Sequence, residues 1–315
     1  MTLGEYVGRR LLQMIPVILG VTVLVFFMIH LVPGDPARTI LGNQATPARV
    51  ALVRHAWGLD RPLYVQYWKF MGRVAHGNLG DSLFYGVSAG HLVLQRLPVT
   101  LWLIILSAIF AVCIAVPLAA IAATKADRAP DHVVRAVPLV GLGFPAFWVG
   151  IVLLLIFGLH AGRLFPVGGY GSGFFGHLHS MILPALTVAL GLAPILIRSL
   201  RASLLEVLES EYVTTARSKG ISEKRVMRKH ALRNAIISTV SVLGVNIGYL
   251  VGGTLVIEQV FALPGIGQLM INSIFQRDFP VVQGVTLVFG VLVVLVNLLA
   301  DLSYAALDPR VRFDR

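Results

Sequence analysis

Six stretches of this chain are continuous apolar runs without a single Asp, Glu, Lys or Arg: 11–32, 98–123, 136–160, 180–197, 236–257 and 281–300. About 20 such residues cross the hydrocarbon core of a bilayer as a helix. Backbone N–H and C=O groups in hydrocarbon have no water to bond, so only helices and closed barrels can span it. A barrel strand needs roughly ten residues of apolar and polar alternation, and these runs do not alternate. The expectation is an all-α integral membrane protein with six transmembrane helices. Composition agrees. The 315 residues are 57% hydrophobic and only 13% charged, against about a quarter charged in soluble domains. The single cysteine, Cys113, sits inside the second run and has no intrachain partner for a disulfide.

The first run follows Arg9 and Arg10, as a signal peptide would. Its apolar core is longer than the usual 7–15 residues, and no small-residue cleavage site follows. It therefore reads as a retained first span. Lys and Arg in the connecting segments set the orientation. Arg9 and Arg10, then Lys125, Arg128 and Arg135, then the dense group from Arg198 to Arg233, and finally Arg310, Arg312 and Arg315 all fall on one side of a six-span chain. The short loops opposite hold only Arg163 and Arg277. Both termini and the 198–235 segment are therefore expected in the cytoplasm. The organisation expected is a cytoplasmic N-terminus at 1–10, an extracytoplasmic segment at 33–97, a core at 98–310 and a cytoplasmic tail at 301–315. The net charge of +11 is then topogenic, and nucleic-acid binding loses its support. No aromatic stacking platform accompanies the basic cluster.

The cytoplasmic segment has a local pattern of its own. Leu204, Val207, Leu208 and Tyr212 recur at helical spacing, and so do Tyr212, Ala216 and Lys219. Gly220 suits the residue just past a helix end, where φ turns positive. Ser222 is placed to cap a second helix, with Glu223 in its first turn. A helix, a glycine turn and a second helix running into the fifth span make a hairpin suited to docking. A plain surface helix with solvated charges is the alternative that the residues alone leave open.

The order Glu211-Tyr212, Ala216, Gly220, followed by His230-Ala231-Leu232-Arg233-Asn234-Ala235, resembles the EAA loop of bacterial ABC importer permeases in its peptide/nickel form. Tyr212 and Val213 stand where the two alanines usually are. Other blocks resemble the family in the right order: LVPGDP at 31–36, WGLDRPLYVQY at 57–67, GNLGDS at 77–82, RLPVTL at 96–101, FPAFWVG at 144–150, EQVFALPGIGQL at 258–269, RDFPVVQG at 277–284 and DLSYAALDPRVR at 301–312. The likeness covers the whole chain and is greatest to the B-type permease of dipeptide and oligopeptide importers. It implies the type I ABC importer permease fold and a place in a bacterial cytoplasmic (inner) membrane. It also implies four kinds of partner: a homologous C-type permease, two ABC ATPase subunits, an extracytoplasmic substrate-binding protein and a peptide cargo. The resemblance makes Glu211, Tyr212, Thr215, Ala216, Lys219, Gly220 and Ser222 the residues that couple to the ATPase. ATP and Mg would be held by that partner, since the chain has no G-x-x-x-x-G-K-[ST] phosphate cradle. No cofactor, metal or catalytic role is expected on the chain itself, which is not an enzyme.

The path for cargo is less legible. Gly244, Gly248, Gly252 and Gly253 in the fifth run permit close helix approach. Asn246 is polar within that run. Glu258, Phe261, Pro264 and Gly265 begin a helix-breaking block, read as a short re-entrant element over 258–279. Asn246, Gly252, Glu258, Phe261, Pro264 and Gly265 are the candidates for the path or its outer gate. His177 and His179 form an H-x-H that offers too few ligands for a metal site. Nickel or another small solute is the alternative cargo. An ATP-independent channel or carrier is the rival class, although ion-coupled carriers usually keep ionisable groups within their spans, and these runs have none.

Overall fold

The computed structural model describes residues 3–31, 35–41, 45–82, 84–160 and 164–307. Pro33, Arg163, Arg310, Arg312 and Arg315, used above, lie outside the described residues. All six apolar runs are helical. The first lies in α1 (Leu3–Leu31), and the segment after it holds α2 (Pro36–Leu41), α3 (Pro47–Trp57) and α4 (Leu63–Ala75). The second run lies in α5 (Ala89–Thr124), and the third in α6 (Ala129–Leu142) and α7 (Ala146–Leu153), continued by a π-helical segment at Leu154–His160. The fourth belongs to α8 (Gly173–Leu208), which leads to α9 (Glu211–Ser218) and α10 (Glu223–Arg225). A second π-helical segment, Val226–Ala231, joins α10 to α11 (Leu232–Val260), and α12 (Ile266–Phe275) and α13 (Phe279–Leu307) close the fold.

Several boundaries differ from those expected. The third run is not one continuous helix, because the chain breaks between Leu142 and Ala146. Pro145 has no N–H to donate and disfavours helix at Phe144 before it. Gly141 and Gly143 weaken the helix on the same side. Hydrophobicity alone conceals such a break. The second and fourth runs are central parts of longer helices. α5 and α8 have 36 residues each, about 54 Å of helix, so both extend beyond a bilayer core. The segment between the first and second runs holds three helices among the described residues. The block at 258–279 is broken as expected. α11 ends at Val260, Ala262 takes a positive φ of 49°, and α12 starts at Ile266, whose N–H donates to Thr100 Oγ1 at 3.0 Å.

The chain packs as two compact units, one of residues 7–100 and 264–294, the other of 1–6, 101–263 and 295–315. In the first, α4 lies on α1. Tyr67 and Phe70 meet the Phe26 ring edge-on and tilted, at 5.5 and 5.9 Å between centroids, and Thr22 Oγ1 and Tyr67 OH are 3.0 Å apart. Val25, Phe26, Phe70 and Leu287 form the buried cluster there. The segment that carries α4 thus braces the first helix. In the second unit, α8 is the central element, and its buried side chains run from Ser180 to Leu204. Large apolar side chains such as Leu12, Leu24, Ile105 and Leu299 are exposed along the long helices. In water this would be a liability. In lipid it is the ordinary outer surface of a span.

Glycines in the fifth run differ in role. A Cβ at Gly244 would overlap the methyl group of Ala300 on α13, whereas Gly252 and Gly253 have no neighbouring atoms within 4 Å. Overpacking of this kind costs about 1–3 kcal/mol. Gly244→Val is therefore expected to lower the thermal stability of the detergent-purified protein by several degrees, and Gly252→Ala to leave it unchanged. Fluorescence-detected size-exclusion after heating reads both, and equal melting of the two variants would refute the assignment.

Candidate functional site

The hairpin begins where α8 ends. Ser210 leaves helical geometry with ψ 148°, and its carbonyl accepts the Val213 and Thr214 N–H groups at 3.1 Å, starting α9. At the other end the chain closes on itself. Gly220 has φ 76°, its N–H donates to Arg217 O at 2.9 Å, and Ile221 N–H donates to Ala216 O at 3.2 Å. These two bonds are the Schellman arrangement, which satisfies the last carbonyls of a helix without help from another element. The usual apolar contact accompanies it. Val213, Ala216 and Val226 form a small buried cluster, with Val207, Leu208 and Ile221 packed against it.

Arg217 ties the two arms together. Its Nε and Nη2 donate to Glu223 Oε1 and Oε2 at 2.7 and 3.2 Å, and its Nη1 donates to Leu208 O at 3.2 Å. That hydrogen bond draws the Glu223 carboxyl below its ordinary pKa. Ser222 sits in extended geometry ahead of α10, and its carbonyl accepts the Arg225 and Val226 N–H groups. Its hydroxyl makes no capping bond, so the expected side-chain cap is not formed, and the Arg217–Glu223 pair holds the arms together instead. Of the seven coupling candidates, Ala216 is buried within the hairpin. Glu211, Tyr212, Thr215, Lys219, Gly220 and Ser222 are exposed. Tyr212 OH accepts from Asn234 Nδ2 at 2.7 Å, and Thr215 Oγ1 turns back to Glu211 O at 2.9 Å.

The candidates for a path have different local surroundings. Asn246 Nδ2 donates to Val242 O of its own helix at 2.7 Å. Gly252 is exposed. Glu258 is fully buried, and its carbonyl accepts Leu263 N–H at 2.8 Å. Phe261 is buried with its ring beside Gly150, and its carbonyl accepts Gly169 N–H at 3.0 Å. Pro264 is half-buried, and Gly265 is extended ahead of α12. A cavity of about 620 Å³ lies elsewhere in the second unit. It is mainly apolar and is lined by Val137, Phe144, Thr187, Pro194, Gly253 and Ile257 among others. The α6–α7 break thus forms part of its wall.

Two buried carboxylates stand out that sequence reasoning missed. Asp131, at the start of α6, is fully buried and accepts Arg201 Nε and Nη2, each at 2.6 Å. The Arg201 bond holds its carboxyl down to about 2. Asp278 accepts from the Ser82 hydroxyl and, at 3.4 Å, from Phe84 N–H. This joins the GNLGDS and RDFPVVQG blocks, and Leu79 packs on Gly284 beside them. Neither pair leaves a local sequence signal, since the partners come from distant segments. His177 and His179 donate to Tyr170 O and Leu164 O at 2.8 and 2.9 Å, so each ring fastens a loop.

Residues 115–313 match the family described as binding-protein-dependent transport system inner membrane component, and residues 3–104 match the description of its N-terminal membrane component. The chain belongs to this family. As an ABC importer permease it is a multi-pass inner-membrane subunit and not the ATPase itself. It is 41% identical over 309 residues to the glutathione transport system permease protein GsiC of Salmonella choleraesuis (strain SC-B67), covering 98% of this chain and 99% of that one. The protein of the same name from Escherichia coli (strain K12) is 40% identical over the same length. Among solved structures, the MetNI methionine ABC transporter in inward-facing form superposes with a TM-score of 0.58 at 18% identity, covering 69% of this chain and 96% of that one. That likeness establishes the permease fold.

A residue with a Cβ at the Gly220 position pays about 1–2 kcal/mol for left-handed geometry, and a β-branched one more. Gly220→Val is expected to lower ATP-driven import at least tenfold per assembled complex. Gly220→Asn, which tolerates this region, should retain most of it. Uptake into proteoliposomes, normalised to co-purified ATPase, measures both. Full import by the Val variant would show that the turn geometry is dispensable.

Proposed function

We propose that this chain is one half of the translocation path of an importer for dipeptides or short oligopeptides. A related C-type permease supplies the other half. Two cytoplasmic ATPase subunits hold ATP and Mg and seat the 211–222 hairpin. An extracytoplasmic binding protein delivers the cargo. The observation that carries the peptide reading is the near full-length likeness to a permease for glutathione, itself a tripeptide. The hairpin supports the coupling role. Its outward residues are free to meet a partner, while its shape is fixed internally by the Schellman bonds and the Val213–Ala216–Val226 cluster.

The mechanism follows from continuity. α8 leads into one arm of the hairpin, and the other arm runs through the π-helical segment into α11. Thr187 and Pro194 of α8 and Gly253 and Ile257 of α11 line the same cavity. Closure of the ATPase pair on ATP moves the hairpin, and both helices carry that movement to the cavity walls. Alternating access by rocking of helical bundles around a central site follows. In this reading six spans cross the membrane and both termini face the cytoplasm, as the Lys and Arg distribution favours.

Gentle detergent purification of the tagged chain from its native membranes, with mass spectrometry, is the first test. A related permease and ATPase subunits are expected, and recovery of the chain alone in several detergents would refute the importer. Uptake of labelled dipeptides and glutathione by the complex tests the cargo, and transport of nickel instead would overturn it. A cysteine replacing Ser222, in a Cys113→Ala background, should react with a membrane-impermeant maleimide in inside-out vesicles only. Labelling of intact cells would reverse the topology.

A further inference from the structure

Asp131 is approached by donors from three sides. Arg201 on α8 grips both carboxylate oxygens at 2.6 Å, Asp127 N–H donates at 3.0 Å, and Arg135 Nε stands 3.6 Å away on the next turn of α6. Asp127 takes a positive φ of 59°, and its N–H meets the carboxylate from there. Arg201 lies two turns ahead of Leu208, where α8 gives way to the hairpin. Asp131 lies in the first turn of α6. The far half of that helix, at Val137, Pro138 and Gly141, and the break at Gly143–Pro145 line the cavity.

The pair therefore joins the hairpin's supporting helix to a cavity wall. α7 is separated from α6 by the break, so its packing on α8 does not fix α6. The apolar contacts between α6 and α8 are non-directional and tolerate sliding. A two-pronged, charge-assisted bond fixes both distance and orientation. We infer that Asp131 and Arg201 are positioning residues that carry movement of the hairpin from α8 into α6, and so reshape the Val137–Pro145 wall of the cavity when the ATPases close. The inference rests on the hairpin being the ATPase contact.

Removing one member of a buried ion pair strands the other charge, whereas replacing both with apolar residues of similar volume is tolerated. The test uses that difference. In a Cys113→Ala background with Val137→Cys, the rate of N-ethylmaleimide labelling is measured in the purified complex, with and without ATP plus vanadate. With the pair intact, trapping is expected to change the rate at least fivefold. The double variant Asp131→Leu/Arg201→Met should co-purify with its ATPases as before, and its labelling rate should no longer respond to trapping. An undiminished response in the double variant would overturn the inference and leave the proposed function standing. Failure of the intact-pair complex to respond or to hydrolyse ATP would overturn the coupling reading, and this inference with it. Should the double variant not assemble, Arg201→Lys decides, since it keeps the charge but loses the second prong. A response cut by half or more supports the joint, and an unchanged one refutes it.

Discussion

Backbone hydrogen bonding in the absence of water governs this structure. Every N–H and C=O that enters hydrocarbon must find a partner in the protein, and an uninterrupted helix meets that demand locally. The long helices α1, α5, α8, α11 and α13 follow from it. So does the placement of the exceptions. Where the chain departs from helix, at 143–145 and at 261–265, groups find partners within the fold: Phe144 N–H with Gly141 O, Pro145 O with Trp148 N–H, Phe261 O with Gly169 N–H and Glu258 O with Leu263 N–H. The apolar exterior of the helices needs no such care, because its solvent resembles it.

With the spans fixed by solvent, specificity moves to their ends. The basic hairpin, the buried Asp131–Arg201 pair and the Ser82–Asp278 contact all sit at helix termini or in connections. Polar groups there can be desolvated by the protein while being matched by it. Asp131 illustrates the balance. Burial penalises its charge, and the guanidinium fork more than offsets that penalty. The carboxyl therefore stays ionised as pH falls through the ordinary carboxylate range near 3.8, and releases its partner only as pH falls through about 2. Stability drawn from this pair is thus constant over any physiological range.

What could be read from the letters depended on the range of the interaction. The six apolar runs are legible because lipid acts on each residue independently. The hairpin is legible because a helix end, a left-handed glycine and a new helix start are decided within a dozen residues. The α6–α7 break was within reach, since Gly-Leu-Gly-Phe-Pro is a breaker sequence, but uniform hydrophobicity masked it. Asp131 and Arg201 are 70 positions apart, and Ser82 and Asp278 are 196 apart. No local rule pairs them. The cavity was out of reach for the same reason, because its wall is assembled from five helices whose packing is not encoded in any one of them.

The closed form of the hairpin has a bearing on how such subunits diverge. Its shape resides in backbone bonds, in one left-handed glycine and in a three-residue cluster facing inward. Val213 belongs to that cluster, while Tyr212 lies outside it and reaches Asn234. Arg217 and Glu223 brace the arms from outside, but outward side chains such as Lys219 and Ser222 take no part in the cluster. They can drift under the pressure of a changing partner, as a key may be recut while its bow and shaft stay the same. Tyr212, in place of one of the two customary alanines, is a change of that kind, whereas Val213, in place of the other, packs into the inward cluster that holds the turn.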